Sequence, residues 1–181
     1  MKYLLKISFF LFLLFANCEK KEYEKVNTDK EIGSTITLRK YIRESFDASG
    51  VIQWRLIAEE SYVFADEQKT VLYNFEFEEY EDGVYNSHLS CERGELNHSE
   101  KQLKLNGNVK LSTPDNKTLY TSELVYFLDE KRIESDAKVH IFLDGTNISG
   151  TGLRSDKDLK QVTILNPDAV TTGNPFKEKE E

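Results

Sequence analysis

Two cysteines and three prolines are all that this 181-residue chain contains, and each shortage removes a class of protein. With Cys18 and Cys91 alone there is no disulfide framework. Neither CxxC nor HxxxH occurs, and a zinc site needs three or four convergent ligands. Catalytic signatures are missing too: no GxSxG, no phosphate-binding loop, no GxGxxG after a strand and no HExxH. Positive charge is short, for the formal net charge is −8. Nucleic acid is therefore an unsuitable partner, because phosphate binding needs a basic face. Long apolar runs are also absent. The one candidate, Ile7 to Ala16, would span about 15 Å as a helix, half of what a bilayer core requires.

That short run lies in MKYLLKISFFLFLLFANC, where Lys2 and Lys6 precede it and Asn17-Cys18 close it. The arrangement predicts a signal peptide over 1–17. Cys18 directly after the apolar stretch resembles a bacterial lipobox of relaxed form, since Asn17 replaces the usual small residue. On that reading Cys18 is the lipid-attachment site and the protein is an acylated lipoprotein. An ordinary secretory leader followed by an incidental cysteine is the other reading. If Cys18 is acylated, Cys91 has no partner within the chain and is expected to be a small buried apolar residue. Residues 18–34 read as the lipidated cysteine with a charged tether. The folded domain is expected over 35–173, and 174–181 as a solvated tail.

Between tether and tail the pattern is β. In IQWRLIA, Ile52, Trp54, Leu56 and Ala58 oppose Gln53 and Arg55. In YNFEFEEY, Tyr73, Phe75 and Phe77 oppose Asn74, Glu76 and Glu78. In LKLNGNVKL, Leu103, Leu105, Val109 and Leu111 share one parity over nine residues, a period that helices do not produce. Turn signals separate the runs, among them Glu81-Asp82-Gly83, Asp144-Gly145 and Asp156-Lys157-Asp158. Only part of 55–69 has any helical character. Leu96, Leu124 and Leu153 recur 28 and 29 residues apart, and Val109, Val139 and Val170 follow at 30 and 31. Such a period marks units that bury an apolar face only by stacking on neighbours. Coincidence among common residues is the competing explanation.

The polar residues offer little chemistry. His88, His98 and His140 stand singly and read as surface or rim residues. Glu76, Glu78, Glu79, Glu81 and Asp82 alternate with aromatics, so they read as the solvated face of a strand and its turn. No catalytic residue, metal or cofactor is expected. What is plentiful is large apolar side chains, including eleven Phe and nine Tyr. They either fill a core or line a surface for acyl chains. At about 0.8 kcal/mol per methylene, a fourteen-carbon chain left in water costs on the order of 10 kcal/mol, so a carrier needs a dry surface rather than a reactive one.

Over roughly 35–171 the order of motifs resembles the LptC family of the lipopolysaccharide export bridge. It opens with Gly50-Val51-Ile52-Gln53-Trp54-Arg55-Leu56-Ile57-Ala58. Glu81-Asp82-Gly83 then leads into Leu89-Ser90-Cys91-Glu92-Arg93-Gly94. The most specific element is Leu103-Lys104-Leu105-Asn106-Gly107-Asn108-Val109, a leucine strand ending in Gly-Asn-Val. Leu119–Leu124, Ile133–Val139 and Ile148–Asp156 complete the series. The resemblance implies an open antiparallel β-jellyroll of two packed, V-shaped sheets. It also implies a periplasmic carrier, tethered to the inner membrane, that takes lipopolysaccharide from an inner-membrane ATP-driven transporter and passes it to an LptA-like bridge protein. The family usually has a transmembrane helix at its N-terminus, where this chain has Cys18.

Applied to this sequence, the resemblance makes the inward residues the lining of a lipopolysaccharide groove: Trp54, Leu56, Tyr73, Phe75, Phe77, Leu89, Leu103, Leu105, Val109, Leu111, Tyr126, Val139 and Ile141. It places a transporter-facing edge at Val51, Ile52 and Arg55 and a bridge-facing edge at Val162, Ile164 and Val170, both joined by strand addition. Gly107 and Gly150 are expected at bulges. Another jellyroll component of the bridge, or a structural or adhesive surface lipoprotein, are the alternatives.

Overall fold

The computed structural model describes residues 30–172. The expected signal peptide, Cys18, most of the tether and the tail lie outside the described residues. A compact unit begins at Glu31 and is all-β: nine strands in chain order, each hydrogen-bonded antiparallel to the next. They are β1 (Ile36–Phe46), β2 (Ile52–Phe64), β3 (Lys69–Glu81), β4 (Val84–Asn97), β5 (Gln102–Ser112), β6 (Thr118–Phe127), β7 (Arg132–Leu143), β8 (Thr146–Asp156) and β9 (Val162–Thr172). The stretch 55–69, with its slight helical character, is strand and turn. Its Trp54–Ala58 alternation suits a half-buried sheet better than a helix. Asp82-Gly83 and Asp144-Gly145 form two-residue hairpin turns with φ positive at both central residues.

The two sheets expected from the resemblance are two halves of one continuous sheet. The pairing register breaks in mid-strand between Ser90 and Arg93, Asn106 and Val109, Thr121 and Val125, and Ser135 and Lys138. These breaks line up into a crease on which the sheet folds over itself. Burial records the same event. Inward residues alternate strictly within each half but are three apart across the crease at Ala58/Ser61, Leu72/Phe75, Cys91/Gly94, Thr121/Leu124 and Gly150/Leu153, and four apart at Leu105/Val109 and Ser135/Val139. A bulge adds a residue to one strand and sharpens its bend.

Two glycines serve the crease, as expected. Gly107 has φ 77, where a side chain would be strained and would run into Glu92. At Gly150 a Cβ would lie 2.5 Å from the Asn166 carbonyl and 2.6 Å from Ile164, so only glycine lets β9 approach. Backbone groups freed by the bend find side chains. The Thr121 hydroxyl is 3.0 Å from the Lys138 carbonyl, and the Ala137 N–H donates to Ser135 Oγ at 3.2 Å. Buried main-chain groups left unpaired would oppose the fold.

The leucine repeat corresponds to a two-strand hairpin. Leu96, Leu124 and Leu153 lie on β4, β6 and β8, and Val109, Val139 and Val170 on β5, β7 and β9. One hairpin cannot cover its own apolar face. Stacked side by side and folded at the crease, the hairpins bury one another's.

Candidate functional site

The register converts dispersed apolar residues into lines that cross the strands. In the half carrying Trp54, successive partners are Leu56, Phe77, Leu89, Leu111, Leu119, Ile141, Ile148 and Val170, one per strand from β2 to β9. The other half answers with Leu72, Gly94, Leu105 and Leu124, and beside them Leu96, Leu103, Tyr126 and Ile133. The two halves face each other as the walls of a trough running from β1 to β9. A single cluster holds both walls together, including Leu56, Phe75, Leu89, Leu103, Leu105, Val109, Leu111, Tyr126, Val139 and Ile141, with Trp54 and Phe77 packed against it. Phe77 is stacked on Phe75 at 6.3 Å and tilted on Trp54 at 5.9 Å.

Tyr73 is a correction. It packs against a separate cluster of Tyr62, Phe64 and Val71, edge-on to Tyr62 at 5.9 Å. Asn74 has φ 46, and with the crease passing there the alternation of Phe77 and Phe75 does not continue to Tyr73. The inward residue beyond the crease is Leu72.

The N-terminal edge is a second correction. Ile52 and Arg55 are paired on one side with Phe46 and Glu44 of β1, Arg55 and Glu78 of β3 are register partners on the other, and Val51 accepts a bond from Asp47 in the β1–β2 turn. The outer strand is β1, which lies within the domain expected over 35–173. Its Ile36, Leu38, Ile42 and Phe46 are exposed. At the other end Val162, Ile164 and Val170 do lie on an outer strand, β9, with Pro167 opposite Gly150. Proline is compatible with an edge because it has no N–H to give a neighbour.

The cavity lined by Phe77, Leu89, Leu111, Leu124, Tyr126 and Ile133 has a volume of about 10 Å³, room for roughly one water. Larger hollows lie on the outside along the crease: one of about 400 Å³ beside Ile57 and Asn74, another of about 530 Å³ beside Lys110, Tyr120 and His140.

The side of the trough away from the crease is its mouth, where the strand ends of the two walls meet, and it carries polar chemistry. Glu79 has the parity of Phe75 and Phe77 and turns inward instead of joining the solvated face. Its carboxylate accepts from Lys157 Nζ at 3.1 Å, from the Tyr126 hydroxyl at 3.2 Å and from the Ser87 hydroxyl at 3.2 Å. Asp158 accepts from Asn86 Nδ2 at 2.8 Å and Lys157 Nζ at 3.0 Å. Glu79, Asn86 and Ser87 belong to one wall. Tyr126, Lys157 and Asp158 belong to the other.

Burial pulls the Lys157 amine downward, but Glu79 and Asp158 outweigh it and the net shift is upward. Burial likewise raises the Asp158 carboxyl, and the bonds from Lys157 and Asn86 bring it below its ordinary value. The Tyr126 hydroxyl is pushed up, first by burial and then by Glu79. Beneath this group Leu159 is 1% exposed and part of the core, with φ 54. A leucine held there costs about 1 kcal/mol, which its burial offsets.

The remaining polar residues are spread out. His88 lies 3.5 Å from Glu76, and His98 Nε2 is 2.9 Å from the Thr70 hydroxyl. Cys91 is buried, and burial pushes its thiol up to about 12, as suits a small apolar residue. Among the described residues no group of three or more His, Cys, Asp or Glu could hold a metal ion.

Three comparisons complete the picture. The model of the lipopolysaccharide-assembly, LptC-related family matches residues 4–172. No curated protein matches. Among solved structures, the fold is similar to that of LptH, the LptA-homologous periplasmic component of the lipopolysaccharide transport device of Pseudomonas aeruginosa, at a TM-score of 0.47 and 13% identity, over 73% of this chain and 93% of that one.

Proposed function

The chain belongs to the lipopolysaccharide-assembly, LptC-related family, and on that premise we propose that it is a periplasmic lipopolysaccharide carrier within a transport bridge. It accepts the glycolipid from an inner-membrane ATP-driven transporter and passes it to an LptA-like protein, covering the acyl chains as they cross an aqueous space. The observation that carries this reading is the apolar line from Leu56 to Val170, one residue per strand across eight strands. A closed sandwich needs a core, but not one whose rows run out to exposed apolar residues: this line ends on Val170 of β9, and in the other half the row through Leu72 and Ser61 ends on Leu38 of β1. Neighbouring jellyrolls adding strands at β9 would extend the first row, and at β1 the second, from one protein to the next. Cys18 supplies the tether when acylated, and multiple chains would be needed for stable attachment.

The walls meet over a cavity of about 10 Å³, so loading requires them to part. The direct test places the photoreactive residue p-benzoylphenylalanine at Phe77, an aromatic for an aromatic on the trough wall. Illumination in cells should give a lipopolysaccharide adduct, and a well-folded protein that yields none would refute the carrier role. The tether is tested separately: Cys18→Ser should abolish acyl labelling and release the protein from membranes.

A further inference from the structure

The carrier reading leaves open where the acyl chains go in, and the mouth supplies an answer. We propose that the β8–β9 turn, residues 156–161, is a lid on the trough, and that acyl chains of a glycolipid are admitted when Lys157 and Asp158 let go of Glu79 and Asn86. This inference rests on the carrier reading and adds a gate to it.

Three features of the turn set it apart from an ordinary hairpin connection. It reaches across the mouth to the opposite wall, through Lys157 to Glu79 at 3.1 Å and through Asn86 to Asp158 at 2.8 Å. Both ion-pair side chains are largely sheltered, at 16% and 19% exposure. The turn also drives Leu159 into the core at positive φ, and a strained apolar plug is suited to leaving as well as seating. Finally, the turn is built to move as one piece. Asp156 Oδ1 accepts from the N–H groups of Lys160 at 2.7 Å and Gln161 at 3.1 Å, and the Leu159 N–H bonds to the Asp156 carbonyl. Its shape is thus set largely internally, with the Lys157 N–H donating to the Lys131 carbonyl of its own wall at 3.0 Å, while its hold on the far wall consists of side-chain contacts.

The crease offers no comparable route, because there the walls are one continuous chain. An amphiphile arriving from solvent would meet ionic contacts at the mouth, where its polar group can replace the partners that open.

The test uses the full chain carrying p-benzoylphenylalanine at position 77 and purified lipopolysaccharide. Asn86→Cys and Asp158→Cys are joined by a short bis-methanethiosulfonate linker that reductant cleaves. The parent protein given the same reagent is the control for Cys18, and Cys91 is buried and does not compete. Linking should lower the rate of adduct formation at least tenfold, with full recovery on reduction. The unlinked Glu79→Gln, Lys157→Met variant should form adduct at least threefold faster than the parent. A linked protein that loads at the unlinked rate, or a double variant no faster than the parent, would overturn the lid while adducts uphold the carrier role. Absence of adduct from every form would instead bring down the carrier reading and the lid with it.

Discussion

The crease and the mouth are opposite sides of one trough, and they are closed by different physics. At the crease the walls are joined covalently, the residues facing inward are Ala58, Phe75, Leu105, Leu124 and Val139, and backbone groups freed by the bend are taken up by Thr121 and Ser135. At the mouth the walls are held by Glu79, Lys157, Asp158, Asn86 and Tyr126, with Leu159 seated below. Apolar packing resists disruption in proportion to the area removed from water. Half-buried ion pairs are worth little net, because desolvation consumes most of the attraction. One side is a hinge that holds and the other a seam that parts.

Breaking the packed side should have the largest effect. Leu105→Ala removes a fully buried side chain that the crease cannot collapse around, and a loss of about 3 kcal/mol is expected in urea unfolding. Leu105→Asp should leave no folded protein by circular dichroism, since an unpaired carboxylate would be buried there. Gly150→Ala comes next, at about 2 kcal/mol. Its Cβ would press on the Asn166 carbonyl, so amide exchange on β9 should rise before that on β5 or β6.

Changes at the seam should be milder and should depend on each other. Lys157→Met alone leaves the Glu79 carboxylate half-buried without its cation, and about 1 kcal/mol is expected. Adding Glu79→Gln should recover part of that loss. Urea midpoints of the single and double variants measure the coupling, and strictly additive losses would contradict an ion pair across the walls.

Acid should sharpen the contrast by the smallest margin. Asp158 lies below its ordinary value in the folded protein, so its contribution is complete above the unfolded aspartate range near pH 4 and is lost as pH falls through the folded value. Lys157 is raised, so its contribution persists up to the ordinary lysine range near pH 10 and fades above it. Glu79 and Lys160 are the other titratable groups bonded to this pair, and Tyr126 bonds to Glu79. Amide exchange of the 156–161 turn should therefore quicken below about pH 4, while the crease amides hold.

Much of this was legible in the residues themselves. The alternation in LKLNGNVKL gave Leu103, Leu105, Val109 and Leu111 the same face, and they share it, because the break at Gly107-Asn108 inserts an even number of residues. In YNFEFEEY the break is odd, and Tyr73 landed outside. Nothing local distinguishes the two cases, since the crease is a property of neighbouring strands. Glu79 was missed although its parity with Phe75 and Phe77 was in view. A carboxylate among aromatics reads as solvated until a lysine 78 positions away is brought against it. The strand β1 lay within the expected domain, yet the edge was placed at Val51, Ile52 and Arg55, because nothing local to those residues shows that another strand pairs outside them.

Composition and period-two patterning by themselves determined that this chain is all-β, built from hairpins that need each other's apolar faces, and free of the motifs of metal or nucleotide chemistry. Those follow from which atoms each residue carries and from the fixed geometry of a strand. Where the sheet folds, which strand ends it, and that Glu79 meets Lys157 were decided only in three dimensions. Register and bulge position are set by packing across strands far apart in the chain, and one residue of slip at a bend exchanges the inside for the outside.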